Sequence, residues 1–173
     1  MHRAAVLTIS DRVAGGEPTS RGHRGPDDRS SDGDDASGDL LVARLADLPA
    51  VVVERRVVPD EAGEIADAVR ALSAVSDLLV STGGTGLGAR DVTPEAVAPL
   101  LERTVPGMVE AMRAAGLRAT PMAMLSRQVV GIRDGCLVVA LPGSPRAVAE
   151  SLDAIWVALP HALQLLAGDT DHG

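Results

Sequence analysis

The chain has 173 residues and a formal net charge of −8, from 16 Lys and Arg against 24 Asp and Glu. At roughly 150 residues per domain this is one domain, residues 1–173, and an apolar share of 46% excludes a disordered chain. An acidic surface repels phosphate backbones and anionic lipid, which excludes a general nucleic-acid or membrane binder but leaves room for a small anion held by backbone N–H groups.

Residues 4–9, apolar and β-branched, predict a buried first strand that stops at Ser10 and Asp11. The run is too short for a signal peptide, and no stretch reaches the ~18 apolar residues of a membrane span. The default location is therefore the cytoplasm. Residues 14–39 hold no large apolar side chain. Such a segment buries too little surface to order itself, so it reads as a mobile insertion at about 14–34, with a lid as the lesser reading. The acidic Asp32, Asp34 and Asp35 within it read as solvated loop.

A short helix follows at residues 40–48. Residues 51–58 form a second strand that Pro59 ends. Asp60 then precedes a helix whose Ile65, Ala66, Val69 and Leu72 share one face. Leu78, Leu79 and Val80 make a third strand, which runs into Ser81-Thr82-Gly83-Gly84-Thr85-Gly86. Thr93 and Pro94 fit the N-cap and first position of another helix. Residues 106–117 give one more, with Val109 and Met112 inward.

Residues 128–132 and 136–141 are strands joined by Arg133-Asp134-Gly135, and Asp-Gly is a strong hairpin signal. Pro142-Gly143-Ser144-Pro145 ends the second of these and opens the last long helix. That helix buries Val148, Leu152, Ile155 and Leu159, and Pro160 kinks or restarts it. Strands alternating with helices predict an α/β fold around a mostly parallel sheet with one antiparallel hairpin.

Trp156 is the only aromatic residue, which disfavours a base-stacking platform. Cys136 is the only cysteine, so neither a disulfide within the chain nor a multi-cysteine zinc site is possible. Cys136 reads as a small core residue and His161 as a packing or surface histidine.

The chemistry-bearing signals lie at strand ends, where α/β sheets bind ligands. Thr82, Gly83, Gly84, Thr85 and Gly86 follow a buried strand, and glycines there let a backbone approach a phosphate. The alternative is a tight turn without a ligand. The run matches neither the Walker nor the dinucleotide pattern. Asp91 is placed to hold magnesium against phosphates or to cap a turn. Asp60, ending another strand, either joins it or is a plain helix cap. Ser144 either caps its helix or marks an anion site at the helix start.

Seven motifs then fall in one order: Leu7-Thr8-Ile9-Ser10-Asp11-Arg12, Asp35-Ala36-Ser37-Gly38, Val58-Pro59-Asp60-Glu61, Thr82 to Gly86, Arg90-Asp91-Val92-Thr93-Pro94-Glu95-Ala96, Met124-Leu125-Ser126-Arg127 and Leu141-Pro142-Gly143-Ser144-Pro145. Together they resemble the molybdopterin adenylyltransferase family of molybdenum cofactor biosynthesis, the Mog/MoaB-like proteins. The resemblance covers essentially the whole chain. The segment between Asp11-Arg12 and Asp35 is longer than in most of the family.

The resemblance implies a three-layer α/β sandwich of the molybdenum cofactor biosynthesis protein type, assembled as a homotrimer. It implies magnesium-dependent transfer of AMP from ATP to molybdopterin with release of pyrophosphate. It implies Asp60 and Asp91 as catalytic carboxylates, with Asp91 on magnesium and Asp60 as the second candidate ligand. The turn 82–86 would cradle nucleotide phosphates. Ser126 and Arg127 would lie near the pterin or its phosphate, and Pro142, Gly143 and Ser144 would shape the other wall. Other molybdenum cofactor enzymes would be the partners. The alternative is a binding or scaffold protein of the same fold that holds molybdopterin without adenylating it.

Overall fold

A computed structural model describes residues 1–15 and 35–168. The segment read as a mobile insertion therefore falls, apart from its first two residues, outside the described residues. In chain order the elements are β1 (His2–Ile9), α1 (Ala36–Leu45), β2 (Ala50–Val58), α2 (Ala62–Ser73), β3 (Leu78–Thr82), α3 (Thr93–Val97), β4 (Arg103–Thr104), α4 (Pro106–Ala119), β5 (Val129–Arg133), β6 (Cys136–Leu141), α5 (Pro145–Ile155) and α6 (Leu159–Leu166). Short 3₁₀ turns at Ala98–Leu100, Pro121–Leu125 and Trp156–Ala158 join some of them.

The strands form one sheet in the order β2-β1-β3-β6-β5-β4. β2, β1, β3 and β6 run parallel, and β5 pairs antiparallel with β6 as the Asp-Gly turn predicted. Asp134 and Gly135 both take positive φ there. The two-residue β4 adds to the far side of β5. It carries no sequence signal, since both its residues are exposed.

Side chains alternate between two cores. On one face Ala4, Val6, Leu78, Val80, Val139 and Leu141 pack against Leu41 and Leu45 of α1, Met112 of α4, Val148, Leu152 and Ile155 of α5, and Leu159 and Leu163 of α6. On the other face Ala5, Leu7, Ile9, Leu79 and Val138 pack against Ile65, Val69 and Leu72 of α2 and Ala96 and Val97 of α3. Both faces of the central strands are covered, which is why their sequences read as unbroken apolar runs. The result is the three-layer sandwich expected.

Several boundaries differ from the sequence reading by a few residues, and three of them have a physical cause. Helix α1 starts at Ala36, before its first large apolar residue, because Asp35 caps it: its Oδ1 accepts from Gly38 N at 2.9 Å. Thr93 is the first residue of α3 and not its cap. Its buried Oγ1 donates to Gly83 O at 2.8 Å, while Val92 sits at the cap position. The last long helix breaks at Ile155 into a 3₁₀ turn and then α6, since Pro160 has no N–H to continue the ladder.

Candidate active site

Strand β1 has β2 on one side and β3 on the other, so the chain order reverses between β1 and β3. In doubly wound sheets ligands bind at such a switch point, outside the carboxyl ends of the strands. A cleft of about 710 Å³ opens there, within the range of small-molecule sites. It is lined by Thr8, Ile9 and Ser10 from the end of β1, Asp60 after β2, Thr82, Gly83 and Gly84 from β3, and Gly143, Ser144 and Pro145 after β6. Asp91, Asp35, Ser37, Arg12 and Arg146 add to the lining.

The turn after β3 is tightly fixed. Gly83 and Gly84 have φ of +107° and +64°, a region costly for residues with a Cβ. A Cβ on Gly83 would overlap the Ile9 carbonyl oxygen, and one on Gly84 would overlap Thr93 Oγ1. Gly83 N donates to Leu141 O at 3.2 Å, and Thr82 Oγ1 donates to Pro142 O at 2.7 Å. The turns after β3 and β6 are thus tied to each other. Ser144 caps α5, its Oγ accepting from Ala147 N at 3.3 Å.

The carboxylates stand around this frame. Asp60 Oδ2 accepts from Asp11 N at 2.8 Å, and Asp11 Oδ1 accepts from Asp60 N at 3.0 Å. This reciprocal pair staples the end of β1 to the end of β2. Arg90 grips Asp11 with two bonds, at 3.0 and 2.9 Å, and Glu61 with a third at 2.6 Å. The Arg90 guanidinium holds the Asp11 carboxyl below the usual carboxylate range. Burial pushes Asp60 the other way, above that range, and the charges of Asp11 and Asp91 add to the rise. Asp91 Oδ2 accepts from Gly88 N at 2.7 Å. A Cβ on Gly86 or Gly88 would come within 2.8 and 2.7 Å of that oxygen.

On the opposite rim Asp35 links three elements. Its Oδ2 accepts from Thr8 Oγ1 and pairs with Arg55, both at 2.7 Å. Ser37 Oγ donates to Gly143 O at 2.7 Å. Thr8, Asp11, Asp35 and Ser37 are functional-site residues that the local spacing does not single out; their signal is that they fall in two of the seven ordered motifs.

Among the predicted residues, Asp60, Asp91, Thr82, Gly83, Gly84, Gly143 and Ser144 line the cleft. Thr85, Gly86, Pro142, Ser126 and Arg127 do not line it. Arg127 faces the loop after the glycine turn: Nε donates to Gly86 O at 2.8 Å and Nη2 to Asp91 O at 2.6 Å, and Nη1 pairs with Glu95. His161 is exposed on α6. Cys136 is buried, and burial pushes its thiol up to about 11.

Magnesium requires hard oxygen donors and keeps several waters and phosphate oxygens. Asp60 Oδ1 and Asp91 Oδ1 accept no hydrogen bond from the described residues, and both residues line the cleft. Among the described residues no cluster of three or more His, Cys, Asp or Glu forms a complete metal cage. Two carboxylates with free oxygens and no cage suit an ion that arrives with its phosphates.

Residues 5–161 match the family described as "Probable molybdopterin binding domain". The chain belongs to this family. It is 42% identical over 171 residues to the molybdenum cofactor biosynthesis bifunctional protein of Synechococcus elongatus, covering 98% of this chain and 49% of that protein. It is 37% identical over 180 residues to the molybdopterin adenylyltransferase of Escherichia coli K12, covering 96% and 86%. The crystal structure of the molybdopterin biosynthesis enzyme MoaB from Thermus thermophilus superimposes with a TM-score of 0.82 at 42% identity, over 97% of this chain and 98% of that one. The chain spans about half the length of the bifunctional relatives of Synechococcus elongatus and Chlorobaculum tepidum.

Proposed function

We propose that this chain adenylates molybdopterin in molybdenum cofactor biosynthesis, moving AMP from ATP to the molybdopterin phosphate and releasing pyrophosphate. The observation that carries this reading is one cleft holding the Gly83-Gly84 turn, Asp60 and Asp91 at the carboxyl edge of the sheet. The Escherichia coli and Helicobacter pylori relatives named molybdopterin adenylyltransferase support it.

The chemistry is a displacement at phosphorus. A phosphate oxygen of molybdopterin attacks the α-phosphorus of ATP, and a new P–O bond forms. The bond from the α-phosphorus to the oxygen bridging to the β-phosphorus breaks, and its electron pair leaves with pyrophosphate. No side chain acts as nucleophile. The chain positions two anions and offsets their repulsion, which is most of what such transfers require. Backbone at Gly83 and Gly84 approaches the nucleotide phosphates, Gly143 and Ser144 form the facing wall, and the Arg12 and Arg146 side chains border the cleft. Asp91, with Asp60 as second donor, would hold magnesium, which neutralises phosphate charge when bound.

The same reading makes residues 1–173 one molybdopterin-binding domain of a cytoplasmic homotrimer that passes its product to later enzymes of the pathway. It needs neither nucleic acid nor membrane, and no described helix is long and apolar enough to cross one. The test is pyrophosphate release from ATP by purified protein with magnesium, with and without molybdopterin. Release that requires molybdopterin is expected. Tight molybdopterin binding without release would overturn the enzyme in favour of a binding protein. Sedimentation equilibrium giving a monomer would remove the trimer.

A further inference from the structure

The loop 87–90 between the glycine turn and Asp91 buries none of its four residues. Leu87 is 65% exposed. Within 87–90 polar contacts therefore hold the loop: Arg90 reaches Asp11 and Glu61, while beyond Asp91 the Val92 side chain packs on the core. On the cleft side the loop has its own turn, with Asp91 N donating to Gly88 O at 3.0 Å and Gly88 N to Asp91 Oδ2. The contact from behind comes from far along the chain. Arg127 bonds the carbonyl oxygens of Gly86 and Asp91, the residues that bracket this loop, and pairs with Glu95 on the following helix. Its own backbone N–H donates to Thr85 O at 2.9 Å. One planar fork thus holds both ends of the loop and the helix it leads into. Only a guanidinium presents donors in that rigid arrangement.

We infer that Arg127 is a positioning residue: it clamps the loop 86–91 from behind and so sets the place of the Asp91 carboxylate, without touching the pterin. This rests on the adenylyl-transfer reading only for its kinetic half. A direct contact between Arg127 and the molybdopterin phosphate makes the opposite kinetic forecast.

The experiment compares the full-length protein with Arg127→Lys and Arg127→Met. Amide hydrogen exchange of residues 86–92 is measured without substrates, and kcat and KM for ATP and molybdopterin are measured with them. A clamp predicts exchange at least tenfold faster at the hydrogen-bonded amides of Gly88 and Asp91 in both variants, because a lysine cannot bond two carbonyls and Glu95 as one fork. It also predicts that kcat falls at least tenfold in both, with KM for molybdopterin unchanged within twofold. Unaltered exchange overturns the proposal. So does a rise in KM for molybdopterin with kcat intact in Arg127→Met, together with near-normal kinetics in Arg127→Lys, which is the signature of a phosphate contact. If wild-type protein releases no pyrophosphate, the adenylyl-transfer reading fails by itself and the exchange data still decide the clamp. Should neither variant fold, Glu95→Gln loosens one arm of the fork, and two- to threefold faster exchange over the same residues is expected; unaltered exchange there also overturns the clamp.

Discussion

The turn that leaves β3 and the turn that leaves β6 meet across the cleft, but their glycines answer to different demands. At the first, Gly83 and Gly84 have positive φ, and the space where each Cβ would go is filled by Ile9 O and Thr93 Oγ1. At the second, a Cβ on Gly143 would meet only Gly83 Cα, at an ordinary 3.5 Å. That turn is shaped locally by Ser144 as cap and Pro145 in the first helical turn. The protein's own packing is thus sufficient reason for both glycines of the first turn. A ligand is not required to explain them, whatever binds there. Gly143 is under no such constraint, so a defect caused by changing it reports on the cleft itself.

The largest effect is expected at Gly83. Gly83→Ala adds a clash with backbone to a disfavoured φ and should destabilise the fold by about 3 kcal/mol or more. Urea unfolding measures this, and a midpoint like that of wild type would break the comparison at once. Asp91→Asn comes next and acts on activity alone. Its amide oxygen can still accept from Gly88 N, so stability should move by less than about 0.5 kcal/mol. Pyrophosphate release should nonetheless fall at least a hundredfold, equivalent to about 2.7 kcal/mol of barrier. Turnover within threefold of wild type in a folded Asp91→Asn protein would remove that carboxylate from the reaction.

Asp60, whose Oδ1 lies 3.1 Å from where a Gly84 Cβ would be, allows a test of sign. Its carboxyl is raised by burial, so the folded state holds the proton more tightly than the unfolded chain does. Ionisation therefore costs stability. The penalty sets in as pH rises through the unfolded value near about 3.9 and is complete above the raised folded value. At pH 7 Asp60→Asn should raise the melting temperature by about 1–3 °C, and the gain should vanish near about pH 3. Asp11 runs the other way. Held low by Arg90, it contributes stability above about 3.9 that is lost as pH falls through its lowered value. Asp11→Asn should accordingly lower the melting temperature at pH 7. Shifts of the same sign for the two variants would contradict the charge arrangement. The smallest effect belongs to Gly143→Ala, within about 0.5 kcal/mol by urea unfolding. A loss comparable to that of Gly83→Ala would show that the two turns are constrained alike.

The layers and strands were legible because burial on both faces leaves continuous apolar runs, and the cleft was legible because Pro, Gly and Ser punctuate the strand ends. What escaped was held by polar contacts between residues distant in sequence. The start of α1 depends on the Asp35 carboxylate, not on an apolar stripe. Thr93 has the composition of a cap but bonds a carbonyl ten residues earlier. The two carbonyls that the Arg127 side chain bonds lie 41 and 36 residues away, and nothing in local spacing reveals them. The staple between Asp11 and Asp60 spans 49 residues. Hydrophobic periodicity records which face of an element is buried. It carries no record of which carbonyl a guanidinium will find.

Helix α1 places Ser37 in the cleft, bonded to Gly143 O, and seven residues on places Arg44 over the ring of Trp156, 4.9 Å from its centroid. Seven residues of helix span about 10 Å, a distance over which a helix moves as a rod. The one indole in the chain is therefore coupled mechanically to one rim of the cleft. Its fluorescence emission is a built-in optical gauge of α1, readable in the intact protein without a label and without turnover.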